Sequence, residues 1–148
     1  MLTLDYNPDA NEIAWAKEVA DANKDYNVIL TTHSYLEAKM NYSTDGGSKL
    51  LSGFVDKCEN VVMVLCGHNY SYGPAIRTHE RESGRKVVQM MVNFQQMEFD
   101  DNVSYGALLM LYFSNGGKTV TTEFFSTVRD NEYFRECNQY SFELDLVG

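Results

Sequence analysis

Two apolar segments, each ending at a histidine, decide the fold: Asn27-Val-Ile-Leu-Thr-Thr-His33 and Asn60-Val-Val-Met-Val-Leu-Cys-Gly-His68. The second has six apolar residues in a row, which predicts a strand covered on both faces. The first predicts a similar buried strand at residues 27–32. Since roughly 35 positions separate the two histidines, the segments have the spacing of a strand–helix–strand unit and are expected to be neighbours in one sheet.

Helices are expected before and after the first of these strands. Asn7-Pro8-Asp9 is a helix start, with Asn7 as the cap and Pro8 at the first helical position. Four residues recur at helical spacing and predict a buried face through about residue 23: Ile13, Ala16, Val19 and Ala20. A short helix is expected at 48–57, after a polar loop at 35–47.

The remainder of the chain is predicted to be almost entirely strand. A loop is expected at 69–85, followed by strands at 86–94, 106–114, 119–127 and 140–146. Asn115-Gly116-Gly117 is a hairpin signal, because these residues adopt positive φ at little cost. With no repeat and no interdomain linker in the pattern, residues 1–148 are interpreted as a single compact unit.

Composition excludes several classes of function. Hydrophobic residues make up 44% of the chain, which is enough to build a core and excludes disorder as the main state. The net charge of −9 excludes a general electrostatic grip on nucleic acid or on anionic lipid. No apolar run approaches the ~20 residues of a spanning helix, so membrane insertion is not expected. The N-terminal residues have neither a basic region nor a long apolar one, so no signal peptide is expected there, and the pattern leaves the compartment open.

The three cysteines are expected to be reduced thiols. Cys58, Cys66 and Cys137 are an odd number and lack Cys-x-x-Cys spacing, which disfavours both a disulfide framework and a thiolate zinc site.

His33 and His68 are the candidate metal ligands. Each follows an apolar strand, and side chains at the carboxyl ends of neighbouring strands converge on one crevice in open α/β sheets. Imidazole is the commonest ligand for metals of the zinc, iron and manganese type. The alternative, that both are hydrogen-bonded residues at strand ends, is about equally supported by the residues alone. His79 lies in a polar stretch and is expected in a solvated loop.

The segments 27–36 and 60–68 resemble the last two metal-binding motifs of the calcineurin-like metallophosphoesterases. The succession of later segments is similar to the C-terminal strands of bacterial secreted or cell-surface members: 84–95, 106–113, 118–127 and 139–144. The resemblance extends from about Pro8 to Leu146 and implies a fold of the α/β (α+β) class. That fold would be the C-terminal half of the family's β-sandwich, with mostly antiparallel strands and two short flanking helices.

The resemblance implies that His33 and His68 bind one divalent ion (manganese, iron or zinc) in a site that hydrolyses a small phosphoester. Two departures from the family pattern are visible. Tyr70 stands where the family has a second histidine, and the N-terminal motifs Asp-x-His, Gly-Asp-x-x-Asp and Gly-Asn-His do not occur in the 148 residues. The chain is therefore expected to bind metal weakly and to be catalytically incomplete by itself.

Four further expectations concern the substrate loop, the strand edges and the alternative functions. Tyr70 and Tyr72 are candidates for a loop over the substrate, with a structural loop as the favoured alternative. Exposed strand edges are expected to pair with a missing N-terminal half or with a second copy of the chain. A non-catalytic, self-associating module that retains the fold is the alternative function. An unrelated hydrolase fold that uses the two histidines differently is the remaining hypothesis.

Overall fold

The structure, a computed structural model, describes residues 1–37, 39–69, 74–95, 98, 102, 104, 106–128 and 139–148. Its elements in chain order are β1 Leu2–Thr3, α1 Ala10–Ala22, β2 Val28–Thr31, α2 Gly47–Leu50, β3 Val61–Cys66, β4 Ala75–Glu80, β5 Lys86–Met91, β6 Ala107–Ser114, β7 Thr119–Ser126 and β8 Ser141–Glu143. A π-helical segment, Leu51–Val55, continues α2, and a 3-10 turn, Asn115–Gly117, joins β6 to β7.

The described strands form two sheets. The first has the order β1-β2-β3-β5-β4 and the second has the order β6-β7-β8. In the first sheet β1, β2, β3 and β5 run parallel, and β4 pairs antiparallel with β5. The mixed α/β class and the adjacency of the two histidine-terminated strands are thus confirmed. Three of the six strand pairings among the described residues are parallel, so antiparallel pairing accounts for half of them rather than for most.

The first sheet is covered on both faces. On one face it packs against α1 and the π-helical segment, through Ala16, Ala20, Phe54 and Val55. On the other face it packs against the second sheet, through side chains such as Val120 and Leu144. The side chains of β3 divide between these two cores, which explains its unbroken apolar sequence.

Helix α1 begins two residues later than the sequence pattern predicts. Asp9, rather than Asn7, is the N-cap: its carboxylate accepts from the backbone N–H groups of Asn11 and Glu12 at 2.8 and 2.9 Å. Pro8 therefore precedes the helix instead of opening it. The predicted inner face is confirmed, since Ala16 and Ala20 are fully buried.

Strand β4 lies inside the segment that was expected to be a loop. Its sequence, Ala75-Ile-Arg-Thr-His-Glu80, has only two apolar residues, so no strand periodicity is visible. Pairing with β5 along six register positions, at the edge of the sheet, makes it a strand. His79 is consequently not in a solvated loop: its Nε2 lies 2.7 Å from Asp56 Oδ1 and its side chain is 19% exposed.

The C-terminal pattern is largely confirmed. The strands at 107–114 and 119–126 form the expected hairpin, with Asn115, Gly116 and Gly117 all at positive φ. The last strand is shorter than predicted, since pairing covers only Ser141–Glu143. No helix in the described part of the chain combines the length and hydropathy needed to cross a bilayer.

Two buried polar side chains hold the helices to the sheet. The amide of Asn60, just before β3, donates to backbone carbonyls at the end of α1, including those of Ala20 and Asn23 at 3.1 and 3.0 Å. The guanidinium of Arg81 is 5% exposed and donates to the carbonyls of Val55, Cys58 and Val61 at 2.5–3.0 Å. Both side chains donate to backbone carbonyls of neighbouring segments and so tie those segments to the sheet.

Candidate functional site

Three rings meet at the carboxyl edge of the first sheet. Tyr6 follows β1, His33 follows β2 and His68 follows β3. The centroids of the two imidazoles are 5.0 Å apart, and the Tyr6 ring lies 5.6 Å from His33 and 5.0 Å from His68. All three side chains are exposed to solvent. The expected convergence of His33 and His68 is therefore confirmed, whereas their role as metal ligands stays a prediction.

Backbone hydrogen bonds continue past the last residues of β1, β2 and β3 and align the ends of these three strands. Leu4 N–H donates to the Thr31 carbonyl, and Thr32 N–H donates to the Leu65 carbonyl, both within 3.1 Å. Gly67 N–H then donates to the His33 carbonyl at 3.0 Å. The parallel ladder thus reaches His33 itself and Gly67, the residue before His68, so both rings project from the paired ends of the strands.

His68 turns the chain sharply after β3. Its φ is 60°, in the left-handed region that side chains other than glycine seldom adopt. Gly67, the residue before it, allows a close approach of the chain, since a Cβ there would lie 3.2 Å from the Val92 carbonyl oxygen. The His68 carbonyl accepts from Asn93 Nδ2 at 2.8 Å, which ties the turn to the end of β5.

The carboxylate of Asp45 contacts this cluster of three rings through the hydroxyl of Tyr6. Tyr6 Oη donates to Asp45 Oδ2 at 2.7 Å and lies 3.4 Å from His68 Nε2. The hydrogen bond to Asp45 raises the pKa of the Tyr6 phenol above its usual 10.0, since losing the proton would place two negative charges side by side. The phenol therefore keeps its proton at neutral pH.

The start of α2 places Asp45 at this edge. Ser43 Oγ accepts from the Gly47 N–H at 3.1 Å, which closes a turn just before the helix. Gly46 fits closely here: a Cβ would lie 3.4 Å from the carbonyl oxygens of Tyr6 and Ser34. The turn thus packs against the ends of both β1 and β2, and the Asp45 side chain reaches the ring of Tyr6.

Within the described residues, the site contains two imidazoles, those of His33 and His68. No group of three or more histidine, cysteine, aspartate or glutamate side chains in the described ranges is arranged to hold a metal ion. His79 contacts Asp56 and Tyr42, on another part of the sheet. Tyr70 and Tyr72, the candidates for a substrate loop, and Cys137 lie outside the described residues. Cys58 and Cys66 are buried, free thiols, as expected.

Among known proteins, no protein-family model and no curated protein matches the chain.

Sequence reasoning missed two residues of the site. Tyr6 follows a strand of only two residues, whose signal is the alternation of Leu2 and Leu4 before a polar pair. Asp45 lies in Asp45-Gly46-Gly47, which reads as an ordinary turn. Its position just before a helix that follows a buried strand was the one available signal, because such turns lie at the carboxyl edge of α/β sheets.

Proposed function

We propose that this chain supplies two imidazole ligands, His33 and His68, to a divalent-metal site that hydrolyses a small phosphoester. On this proposal it corresponds to the C-terminal part of the metallophosphoesterases it resembles and is catalytically incomplete by itself. The observation that supports the proposal is the 5.0 Å separation of two imidazoles at the carboxyl ends of adjacent parallel strands. A crevice at that edge is where α/β sheets bind ligands.

The ring separation fits two ligands of one ion. An imidazole nitrogen binds such an ion at about 2.1 Å, so ring centroids of two ligands at roughly 90–110° are about 4.5–5.2 Å apart. A site with two neutral nitrogens and no protein carboxylate among its described ligands would bind metal weakly. Further ligands from another polypeptide segment would complete it, and nitrogen and oxygen donors accept manganese, iron and zinc alike.

In the proposed site, a bound ion would supply the reactive chemistry and the protein side chains would position it. When bound, a divalent ion supplies a hydroxide at neutral pH and polarises the phosphoryl group. His33 and His68 hold their nitrogens at a rigid sheet edge, which fixes the position of the reaction centre. Asp45 hydrogen-bonds Tyr6, and the Tyr6 ring contacts both imidazoles.

Metal titration tests the ligand assignment directly. Calorimetric titration of the purified chain with Mn²⁺ and Zn²⁺ is expected to give one weak site, which His33→Ala and His68→Ala each abolish. His79→Gln is the matched control, because it removes the third histidine, outside this site, and is expected to leave the affinity unchanged. Equal binding by all four proteins would refute the assignment.

Measuring the hydrolysis of phosphoesters tests whether the chain is catalytically incomplete by itself. The chain alone, with Mn²⁺, is expected to leave mono-aryl and bis-aryl phosphates intact, and addition of a polypeptide that contains the missing N-terminal motifs is expected to restore hydrolysis. Stoichiometric metal and turnover by the isolated chain would contradict this part of the proposal.

A second candidate function, non-catalytic self-association, is favoured by the outer face of the second sheet. Leu108, Met110 and Tyr112 alternate along β6 and are 38–49% exposed, while Leu109 and Leu111 pack into the core. Within the described residues, β6 pairs only with β7 and its own sequence carries no charge; the carboxylate beside it, Glu123 of β7, lies opposite Met110 and hydrogen-bonds Tyr112. An antiparallel pairing with a second copy about Met110 would place Leu108 opposite Tyr112 and join two apolar stripes.

Sedimentation equilibrium tests this second candidate. Self-association through β6 predicts a dimer that Met110→Lys converts to a monomer, because the charge lies at the two-fold axis. Trp15→Lys, which changes an exposed apolar residue on α1, is the control and is expected to remain dimeric. A monomeric wild-type chain would refute the self-associating module.

A further inference from the structure

The Tyr6 hydroxyl lies between two groups that compete for its single proton. The Asp45 carboxylate is at 2.7 Å and His68 Nε2 is at 3.4 Å. A carboxylate can only accept, whereas an imidazole nitrogen donates or accepts according to its tautomer. The short contact therefore takes the phenolic proton, and the Tyr6 oxygen presents its lone pairs to His68.

The direction of the Tyr6–Asp45 hydrogen bond determines which ring nitrogen of His68 carries the hydrogen. With the phenolic proton on the Asp45 side, the contact with His68 is a hydrogen bond only if Nε2 carries a hydrogen and donates it to Tyr6 Oη. Nδ1 is then the unprotonated nitrogen of the neutral ring. Among the described residues, no hydrogen bond involves His68 Nδ1, so that lone pair has no competing donor.

We propose that Tyr6 is a positioning residue: backed by Asp45, it holds His68 as the Nε2–H tautomer and so assigns Nδ1 as the metal-binding nitrogen. This inference rests on the proposed function for its metal consequence. Histidine ligands commonly donate their other ring N–H to an oxygen, and loss of that oxygen lowers metal affinity by about 10–100-fold. Here the oxygen is a phenol, and its proton is held by a carboxylate.

Two ring contacts support a positioning role. Tyr6 lies edge-on to His68, with an interplanar angle of 74°, and also touches His33. Its side chain belongs to the segment after β1 and is 40% exposed, so removal of the hydroxyl leaves the core intact. Tyr6→Phe therefore removes the hydrogen-bond relay and retains the ring that packs against both imidazoles.

Long-range ¹H–¹⁵N correlation spectra of the metal-free protein at pH 8 test the tautomer. The His68 signals, assigned by their loss in His68→Ala, are expected to report the Nε2–H form in the wild type. Tyr6→Phe is expected to change this pattern to a mixture of tautomers, while Tyr26→Phe, at a 70% exposed tyrosine, leaves it unchanged. An Nδ1–H form in the wild type, or identical spectra for Tyr6→Phe and wild type, would overturn the inference.

Metal titration of the same variants tests the consequence. Tyr6→Phe is expected to bind Mn²⁺ or Zn²⁺ about tenfold more weakly than wild type and Tyr26→Phe. Unchanged or tighter binding by Tyr6→Phe contradicts the positioning role. Absence of metal binding in the wild type refutes the proposed function, and the spectra still decide the role of Tyr6 because they need no metal.

Discussion

Gly47→Ala is the sharpest test of the backbone packing that brings Asp45 to the site. A Cβ at Gly47 would lie 2.0 Å from the Tyr35 carbonyl oxygen, so about 1.4 Å of movement is needed to reach ordinary contact. Overpacking of this kind costs about 1–3 kcal/mol, and loss of the Gly47 N–H to Ser43 Oγ hydrogen bond adds about 1 kcal/mol. We expect a decrease of about 3 kcal/mol in the free energy of unfolding.

Urea unfolding monitored by circular dichroism measures this change, and the corresponding fall in Tm is roughly 6–12 °C for a domain of this size. The sign itself is informative, since alanine normally stabilises a helix by up to about 1 kcal/mol relative to glycine. Gly46→Ala is the matched control: its Cβ meets its nearest neighbours at 3.4 Å, so a change within about 1 kcal/mol is expected. Equal stability of the two variants would refute the close approach of Tyr35 to α2.

Three further outcomes are expected. Arg81→Met removes a buried guanidinium that donates to three backbone carbonyls and is expected to cost about 3 kcal/mol in urea unfolding, against about 1 kcal/mol for the more exposed Arg85→Met. Asn60→Ala is expected to cost about 2 kcal/mol, because carbonyls at the end of α1 lose the buried side-chain amide that donates to them; an unchanged midpoint would contradict this. Burial raises the pKa of both Cys58 and Cys66 from 9.0 to about 11, so the folded thiols hold their protons more tightly than the unfolded ones. Stability should therefore fall as the pH rises from 9 towards 11, and thiol reagents should modify the folded protein slowly at pH 7.

Sequence patterns alone were sufficient to predict the elements and faces that are buried along their length. Strands β2 and β3 and the inner face of α1 follow from apolar runs and helical spacing, because a fully covered element leaves few polar positions to obscure its period. Strand β4 could not be found in this way. It is an edge strand in which Arg77, His79 and Glu80 hide the alternation, and only its pairing with β5 defines it.

The residues of the candidate site also fall into two groups, those that sequence patterns could predict and those that they could not. His33 and His68 were accessible to sequence reasoning, because each directly follows a buried strand and parallel strands bring their carboxyl ends to one edge. Tyr6 and Asp45 were not, because neither lies next to a strong strand in the sequence. They join the histidines through β1, which is two residues long, and through a turn that packs against two strand ends.

The sequence by itself determined that the chain has neighbouring covered strands that end at histidines, since continuous apolar runs of that length are typical of strands buried on both faces. The tertiary structure alone decided which polar groups meet those histidines. Hydrogen bonds such as that of Tyr6 with Asp45 join residues 39 positions apart. No local period encodes such a contact, because it depends on how the layers pack and not on the spacing of residues along one element.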